Sequence, residues 1–374
     1  MKSIKVAIVI PTHANLKSSL HVLFDIYDCM IRAKNLKVSV FTDSKNAANY
    51  AGFDTVKIKG VDYGTVWAKI LFALGIPRYY YSDLVEKLKG YDVIESSNPE
   101  FYIFAYQSYL AAKKYDVKLI LRTSQTVEGF FLFKLSKYFV VPFVKKAYDY
   151  ASWLLFTNFE AAERAEKLGL MEKNSKRAVI TGHAVATSIF KPLNIRKNKK
   201  QVILSVAGLY KIKGHHLILE AFSKIKDEIN AELWIVGEGY YKRRLQELAE
   251  MLKISNKVKF LGSKTKEELA EIYNLSDVFA LANYQEITPA VNEALACGVP
   301  VVAMECGGRK FAIPDESYGL VAKRFDTDDM AEKMKILLKN KKLAKKIAAK
   351  GRNYVLKNFS VEKVAEKFYE CFVK

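Results

Sequence analysis

The chain has 374 residues, 50% of them apolar and 27% charged, enough for the cores of two domains and too apolar for general disorder. Lys and Arg number 60 against 40 Asp and Glu, a formal charge of +20; residues 1–200 hold 31 basic and 17 acidic side chains, residues 201–374 hold 29 and 23, so the first half is expected to meet an anionic partner. The cysteines, Cys29, Cys297, Cys306 and Cys371, share no C-x-x-C spacing, which argues against a zinc site or a disulfide framework and fits a reducing compartment.

The opening MKSIKVAIVIPTH places two lysines before an apolar run, but Val6 to Ile10 is too short for a signal-peptide core and runs into Pro-Thr-His. It reads as a buried first strand. No stretch approaches the ~18 uninterrupted apolar residues of a membrane helix, so the chain is expected in the cytoplasm, at most peripheral on the inner face of a membrane. Further strands are predicted at Lys37–Phe41, Asp92–Glu95, Lys118–Arg122, Trp153–Thr157 and Ala178–Thr181, with helical patterns between them. Gly129–Tyr148, rich in Phe and Lys and without an acid, reads either as a helix packing its aromatic face inward or as a surface for anionic lipid carrying Lys134, Lys137, Lys145 and Lys146. The basic, proline-containing KPLNIRKNKK, residues 191–200, reads as a linker.

The second half repeats the plan, with strands predicted at Gln201–Val206, Glu232–Val236, Lys257–Leu261, Val278–Leu281, Val299–Ala303 and Gly319–Val321, then Lys-rich amphipathic helices from Asp328. Continuous apolar strands separated by helices imply parallel sheets covered on both faces. The expected fold class is α/β: two doubly wound Rossmann-type domains facing across a cleft, with ligands at the carboxyl ends of the strands. The first domain is set at 1–190 and the second at 201–359; a final helix, about 360–374, is expected to pack back on the first.

Four blocks of the second half carry a family resemblance: SVAGLYKIKGHHLILEAF, LWIVGEGYYKRRLQELA, VKFLGS and SDVFALANYQEITPAVNEALACGVPVVAMECGG. In order and spacing they resemble the donor-binding half of the family 4 retaining glycosyltransferases of GT-B fold, and VITGHAVATSIFKP resembles that family's segment before the linker. The residues agree with the likeness. Lys213 follows a strand and precedes Gly214 and a helix, where a cation and helix amides can hold a diphosphate. Glu293 stands in an otherwise apolar helix, costly for a carboxylate without a partner; the resemblance implies that it binds ribose hydroxyls. The family has a glutamate eight positions before this one. Here that place holds Gln285, with Glu286 one position on, so either Gln285 or Glu286 orients the sugar; Ile287 and Thr288 complete the donor loop. Gly208 replaces the family's usual arginine, Phe260 to Gly262 is expected to offer main-chain groups to the base, and Gly307 and Gly308 let the backbone approach the donor.

In the first half, His13 follows the first strand and can donate to a phosphate or a sugar hydroxyl. The family's histidine after the fourth strand is not evident; Ser97 and Asn98 stand nearest its place, and Arg122 and Gln125 end the next strand as acceptor contacts. The resemblance thus implies an enzyme that moves a sugar from a UDP- or GDP-sugar to a hydroxyl of a glycan or lipid-linked acceptor. His13, Lys213, Glu286 and Glu293 are the catalytic set, and neither metal nor other cofactor is expected, no cation-binding Asp-x-Asp being assigned. An inactive glycosyltransferase-like subunit, suggested by Gly208 and the shifted glutamate, and a nucleotide-sugar epimerase stand as alternatives. A basic nucleic-acid-binding protein is the last of these; no helix-turn-helix, zinc-finger or RNA-binding motif supports it, and no nucleic acid is expected as a partner.

Overall fold

The computed structural model describes residues 3–10, 20–34, 36–43, 53–62, 79–97, 102–123, 136–284 and 288–374. The chain divides into two compact units, residues 1–182 with 364–374, and residues 183–363.

The first unit runs β1 (Ile4–Val9), α1 (Leu20–Lys34), β2 (Leu36–Asp43), β3 (Asp54–Ile58), β4 (Gly60–Asp62), β5 (Tyr79–Tyr81), α2 (Leu84–Lys87), β6 (Val93–Ser97), α3 (Tyr102–Tyr115), β7 (Lys118–Thr123), α4 (Ser136–Tyr150), β8 (Trp153–Phe156), α5 (Phe159–Lys167) and β9 (Ala178–Ile180). Its seven-stranded parallel sheet has the order β3-β2-β1-β6-β7-β8-β9, and β4 pairs with β5 as a separate antiparallel ribbon. β1 is a fully buried run because both sheet faces are covered, and Val6 to Val9 are each 0% exposed.

The second unit follows as β10 (Gln201–Val206), α6 (His215–Ile225), β11 (Ala231–Val236), α7 (Lys242–Met251), β12 (Val258–Phe260), α8 (Lys266–Leu275), β13 (Val278–Leu281), α9 (Pro289–Ala296), β14 (Val301–Met304), α10 (Arg309–Ala312), β15 (Leu320–Ala322), α11 (Thr327–Lys339), α12 (Lys341–Phe359) and the start of α13 (Val361–Val373). Its six-stranded parallel sheet reads β12-β11-β10-β13-β14-β15. Strand order therefore reverses at β10, whose neighbours are β11 and β13. In an open parallel sheet the carboxyl end of that switch is where backbone crossovers part and leave a crevice.

The expected linker at 191–200 is not where the units divide. Asn274 on α8 donates its amide to the Lys191 carbonyl at 2.9 Å and accepts from the Leu193 amide at 2.7 Å, while Lys197 reaches the Ser276 carbonyl at 2.5 Å, so this segment belongs to the second unit. α13 passes from the second unit to the first: Phe368 and Phe372 are buried there against Tyr27, and Lys118 donates to the Phe372 carbonyl at 3.0 Å. Of the Phe/Lys run, residues 129–135 lie outside the described residues. In α4, Val144, Ala147 and Tyr148 join the core, while Lys145 and Lys146 are exposed and Phe143 is 41% exposed.

Candidate active site

Lys213 is placed by local necessity. After β10 the chain makes a short 3-10 turn, Lys211–Lys213, closed by the Lys213 amide on the Tyr210 carbonyl at 2.9 Å. Gly214 then takes φ +71° and starts α6; a Cβ there would lie 2.0 Å from the Ala282 carbonyl oxygen, just past β13. Only glycine permits both the left-handed backbone and this approach. The contact fixes Lys213 at the switch between β10 and β13. Beneath it His215, 1% exposed, sets one ring nitrogen 3.2 Å from Ser205 Oγ and the other 3.3 Å from the Ala207 carbonyl. Burial, with smaller contributions from the charges of His216 and Lys213, pushes the His215 imidazole down to about 4 despite the Ala207 bond. Lys213 itself has no ion pair with any described residue. A cation next to a neutral imidazole, at a strand–helix turn and with no carboxylate partner among the described residues, is suited to receive an anion.

Glu293 lies on α9, the helix that follows β13. Its Oε2 accepts from the Tyr273 hydroxyl at 2.9 Å, which also approaches the Ala290 carbonyl at 3.3 Å. Burial lifts the Glu293 carboxyl to about 6, and the Tyr273 bond and Lys266 charge only partly oppose this. The second carboxylate oxygen has no hydrogen-bond partner among the described residues. Tyr273, itself 0% exposed on α8, thus fixes one of the two oxygens. Sequence reasoning missed it: it stands 20 positions before Glu293, and only the packing of α8 on α9 joins them.

The other described residues expected to hold a donor follow the carboxyl ends of β10, β12, β13 and β14. Gly208 is covered by Tyr210, whose ring carbon would lie 2.6 Å from a Cβ, so an arginine here would have to displace that ring. Thr288 is the N-cap of α9 but its hydroxyl makes no cap bond. Phe260 ends β12; of the main-chain groups expected to face a base, the Leu261 amide and the Gly262 carbonyl are already taken by Ile235 and Gly237. Gly307 precedes Gly308, which at φ +74° starts α10, where Arg309 turns back onto Glu305 at 2.9 Å. Gln285, Glu286 and Ile287 lie outside the described residues. Asp326-Thr327-Asp328 has the Asp-x-Asp form, but Asp326 is spent as the cap of α11, accepting from the Asp328 and Asp329 amides at 3.1 and 2.9 Å.

In the first unit, Ser97 and Arg122 are brought together at the carboxyl ends of β6 and β7. Arg122 donates Nε to Glu95 at 2.9 Å and Nη2 to Ser97 Oγ at 2.7 Å; Glu95 is 0% exposed and accepts as well from the Tyr27 hydroxyl. The pair is neutralised internally, so Arg122 offers a ligand far less free charge than Lys213 does. His13, Asn98 and Gln125 lie outside the described residues.

Known proteins share this plan. Residues 187–354 match the family model of the Glycosyl transferases group 1. The chain is 29% identical over 183 residues to the N-acetyl-alpha-D-glucosaminyl L-malate synthase of Bacillus anthracis, covering 49% of this chain and 47% of that protein, so the match spans about half that relative's length. It is 26% identical over 315 residues to the N,N'-diacetylbacillosaminyl-diphospho-undecaprenol alpha-1,3-N-acetylgalactosaminyltransferase of Campylobacter jejuni, covering 79% and 81% of the two chains. Among solved structures, a glycosyltransferase of Rickettsia africae superposes with a TM-score of 0.78 at 17% identity over 100% of this chain and 98% of its own. Anabaena HepE, solved with UDP, gives 0.80 at 14% identity over 98% and 99%. Those two likenesses bear on the fold, which is that of the GT-B proteins. Over residues 187–354, the chain is thus similar to the group 1 glycosyl transferases.

Proposed function

We propose that the chain transfers a sugar from a nucleotide-diphosphate donor, UDP- or GDP-linked, to a hydroxyl of a glycan or lipid-linked acceptor, with retention of configuration. The observation that carries this reading is Lys213, a cation without a carboxylate partner among the described residues, held by Gly214 at the β10–β13 switch. The relatives favour the same chemistry: the C. jejuni protein is named for transfer to a diphospho-undecaprenol carrier, and HepE was solved with UDP.

As the bond from the sugar's anomeric carbon to the diphosphate breaks, negative charge gathers on the leaving phosphate. Lys213 meets it there, and a fixed cation aimed at developing charge lowers the barrier. Glu293 presents its free oxygen to the ribose, with Tyr273 holding the other oxygen. The reading needs no metal, because Lys213 supplies the positive charge.

The test is calorimetry of the full chain with UDP, GDP, ADP and their glucose or mannose conjugates, repeated on Lys213→Ala and Glu293→Ala. One nucleotide is expected to bind, weakened about 10- to 100-fold in each variant, the loss usual for a hydrogen bond to a charged group. Equal binding by all three proteins, or none by the unaltered chain, would overturn the reading.

A further inference from the structure

α12, KKLAKKIAAKGRNYVLKNF, holds six lysines, one arginine and no acid. One face, with Ala344, Ile347, Ala348 and Val355, is buried in the second unit; Lys341, Lys342, Lys345, Lys346 and Lys357 are exposed on the other. None of these five lysines has an ion pair or a hydrogen bond with a described residue. The helix before it differs: on α11, Lys333 lies 3.3 Å from Glu316, Lys335 2.6 Å from Glu332 and Lys339 3.7 Å from Glu228. On α4, Lys145 likewise pairs with Asp149 at 2.8 Å. The charges of α12 are also set against its own stability. Lys341 and Lys345, and Lys342 and Lys346, are like-charged pairs four positions apart, and all four stand in the first two turns, at the positive end of the helix dipole. Lysines kept where they oppose their helix point to a partner that uses them.

The partner must be anionic and extended, since Lys341 to Lys357 spans about 24 Å along one straight face. A lysine ammonium is a mobile point charge, which suits a layer of anionic headgroups that asks for charge rather than for a fixed geometry. The face offers nucleic acid little beyond charge. Its one arginine, Arg352, donates Nε to the Ala296 carbonyl at 3.1 Å, and the Tyr354 hydroxyl is turned to the Phe311 carbonyl at 3.0 Å, so neither guanidinium nor ring is free to read or stack a base. No large apolar side chain of α12 is exposed, so the helix can rest on headgroups without inserting between them. We propose that the exposed face of α12 is a docking surface for an anionic phospholipid bilayer, with Lys341, Lys342, Lys345 and Lys346 as its main contacts. Lys350 takes less part, because it donates to Ser317 Oγ and lies 4.2 Å from the centre of the Tyr318 ring. The surface stands apart from the nucleotide-sugar reading and from the lysines of α4.

The experiment measures sedimentation of the full chain with vesicles of equal parts phosphatidylcholine and phosphatidylserine. One variant replaces Lys341, Lys342, Lys345 and Lys346 by Gln. A charge-matched control replaces four scattered exposed lysines, Lys113, Lys173, Lys176 and Lys199, by Gln. Glutamine keeps the helix propensity of lysine, and removing like charges from the first turns should leave the α12 variant at least as stable as the parent in thermal unfolding, so a loss of binding cannot come from a lost fold. At about fivefold for each lysine at the surface, the α12 variant is expected to bind about 100-fold more weakly or worse, and the control within a few-fold of the parent. About 1 M salt, which screens charge beyond ~3 Å, should release the parent from the vesicles. An equal loss in the control would make the attraction one of net charge alone and overturn the proposal. So would unchanged binding by the α12 variant, binding that survives the salt, or a parent that does not sediment with the vesicles. Release of the parent by duplex DNA at equal phosphate concentration would assign the face to nucleic acid and overturn it too.

Discussion

Glu293 is held where burial lifts its carboxyl to about 6, with the Tyr273 hydroxyl and the Lys266 charge working against that rise. In the unfolded chain the same group titrates near 4.3. Between those two values the folded protein binds the proton more tightly, so this residue's contribution to stability is present below about pH 4 and is lost as pH rises through 6. The loss amounts to about 2 kcal/mol, since each tenfold gain in proton affinity on folding is worth about 1.4 kcal/mol. Glu293→Gln keeps an oxygen for Tyr273 and abolishes the charge. Thermal unfolding should therefore show the variant more stable than the parent at pH 8 and equal to it at pH 4, while its nucleotide affinity falls. Equal unfolding midpoints at pH 8 would show that the buried carboxylate carries no cost. Such an exchange of stability for binding is what a functional carboxylate in an apolar helix would produce.

Two left-handed glycines separate backbone strain from steric contact at the scale of the element. Gly90 has φ +86° with nothing within 4 Å of a would-be Cβ, whereas Gly214 has φ +71° with the Ala282 oxygen at 2.0 Å. Gly90→Ala should cost about 1 kcal/mol, from strain alone. Gly214→Ala must also push α6 off the end of β13, so it should cost about 3 kcal/mol or more and lower nucleotide affinity at once. Denaturant titration checks both; equal costs would mean that the β10–β13 junction yields freely. α4 gives a second expectation, because it buries Val144, Ala147 and Tyr148 and leaves Lys145 and Lys146 outward. If that face meets lipid, replacing Lys134, Lys137, Lys145 and Lys146 by Gln should reduce sedimentation with phosphatidylserine vesicles several-fold, by about 1 kcal/mol for each lysine at the surface. Unchanged sedimentation would leave α4 a helix of the core alone.

For the whole molecule, the central strands were legible because parallel strands covered on both faces become unbroken apolar runs, as in Val6 to Ile10 and Val278 to Leu281. Asp54–Ile58 was not foreseen: as the edge strand β3 it alternates and stays half exposed, too weak a pattern to stand out. The division of the chain was misplaced for a similar reason. A basic, proline-containing stretch looks like a linker whether or not Asn274 ties it down, and the tie is made by a side chain some 80 positions away. Lys213 and Glu293 could be found from chemistry against local pattern, a cation at a turn and an acid in an apolar helix. Tyr273 could not, since its meaning comes from a partner that the chain brings up from elsewhere. The joining of 364–374 to the first unit is itself testable. Val364, Ala365, Phe368, Cys371 and Phe372 are all under 5% exposed, so removing residues 364–374 should unfold the first unit at a markedly lower denaturant concentration. A first-unit transition at an unchanged midpoint would show that this helix contributes nothing there.

That same helix sets an order of events in the cell. Residue 182 leaves the peptidyl-transferase centre about 180 codons before residue 364 does, so at ~5–20 residues per second the first unit waits roughly 10–40 s for its final piece. Throughout that interval Tyr27 has neither Phe368 nor Phe372 to pack on. The unit made first is thus completed last, and its nascent form offers a chaperone an aromatic surface that vanishes once α13 arrives.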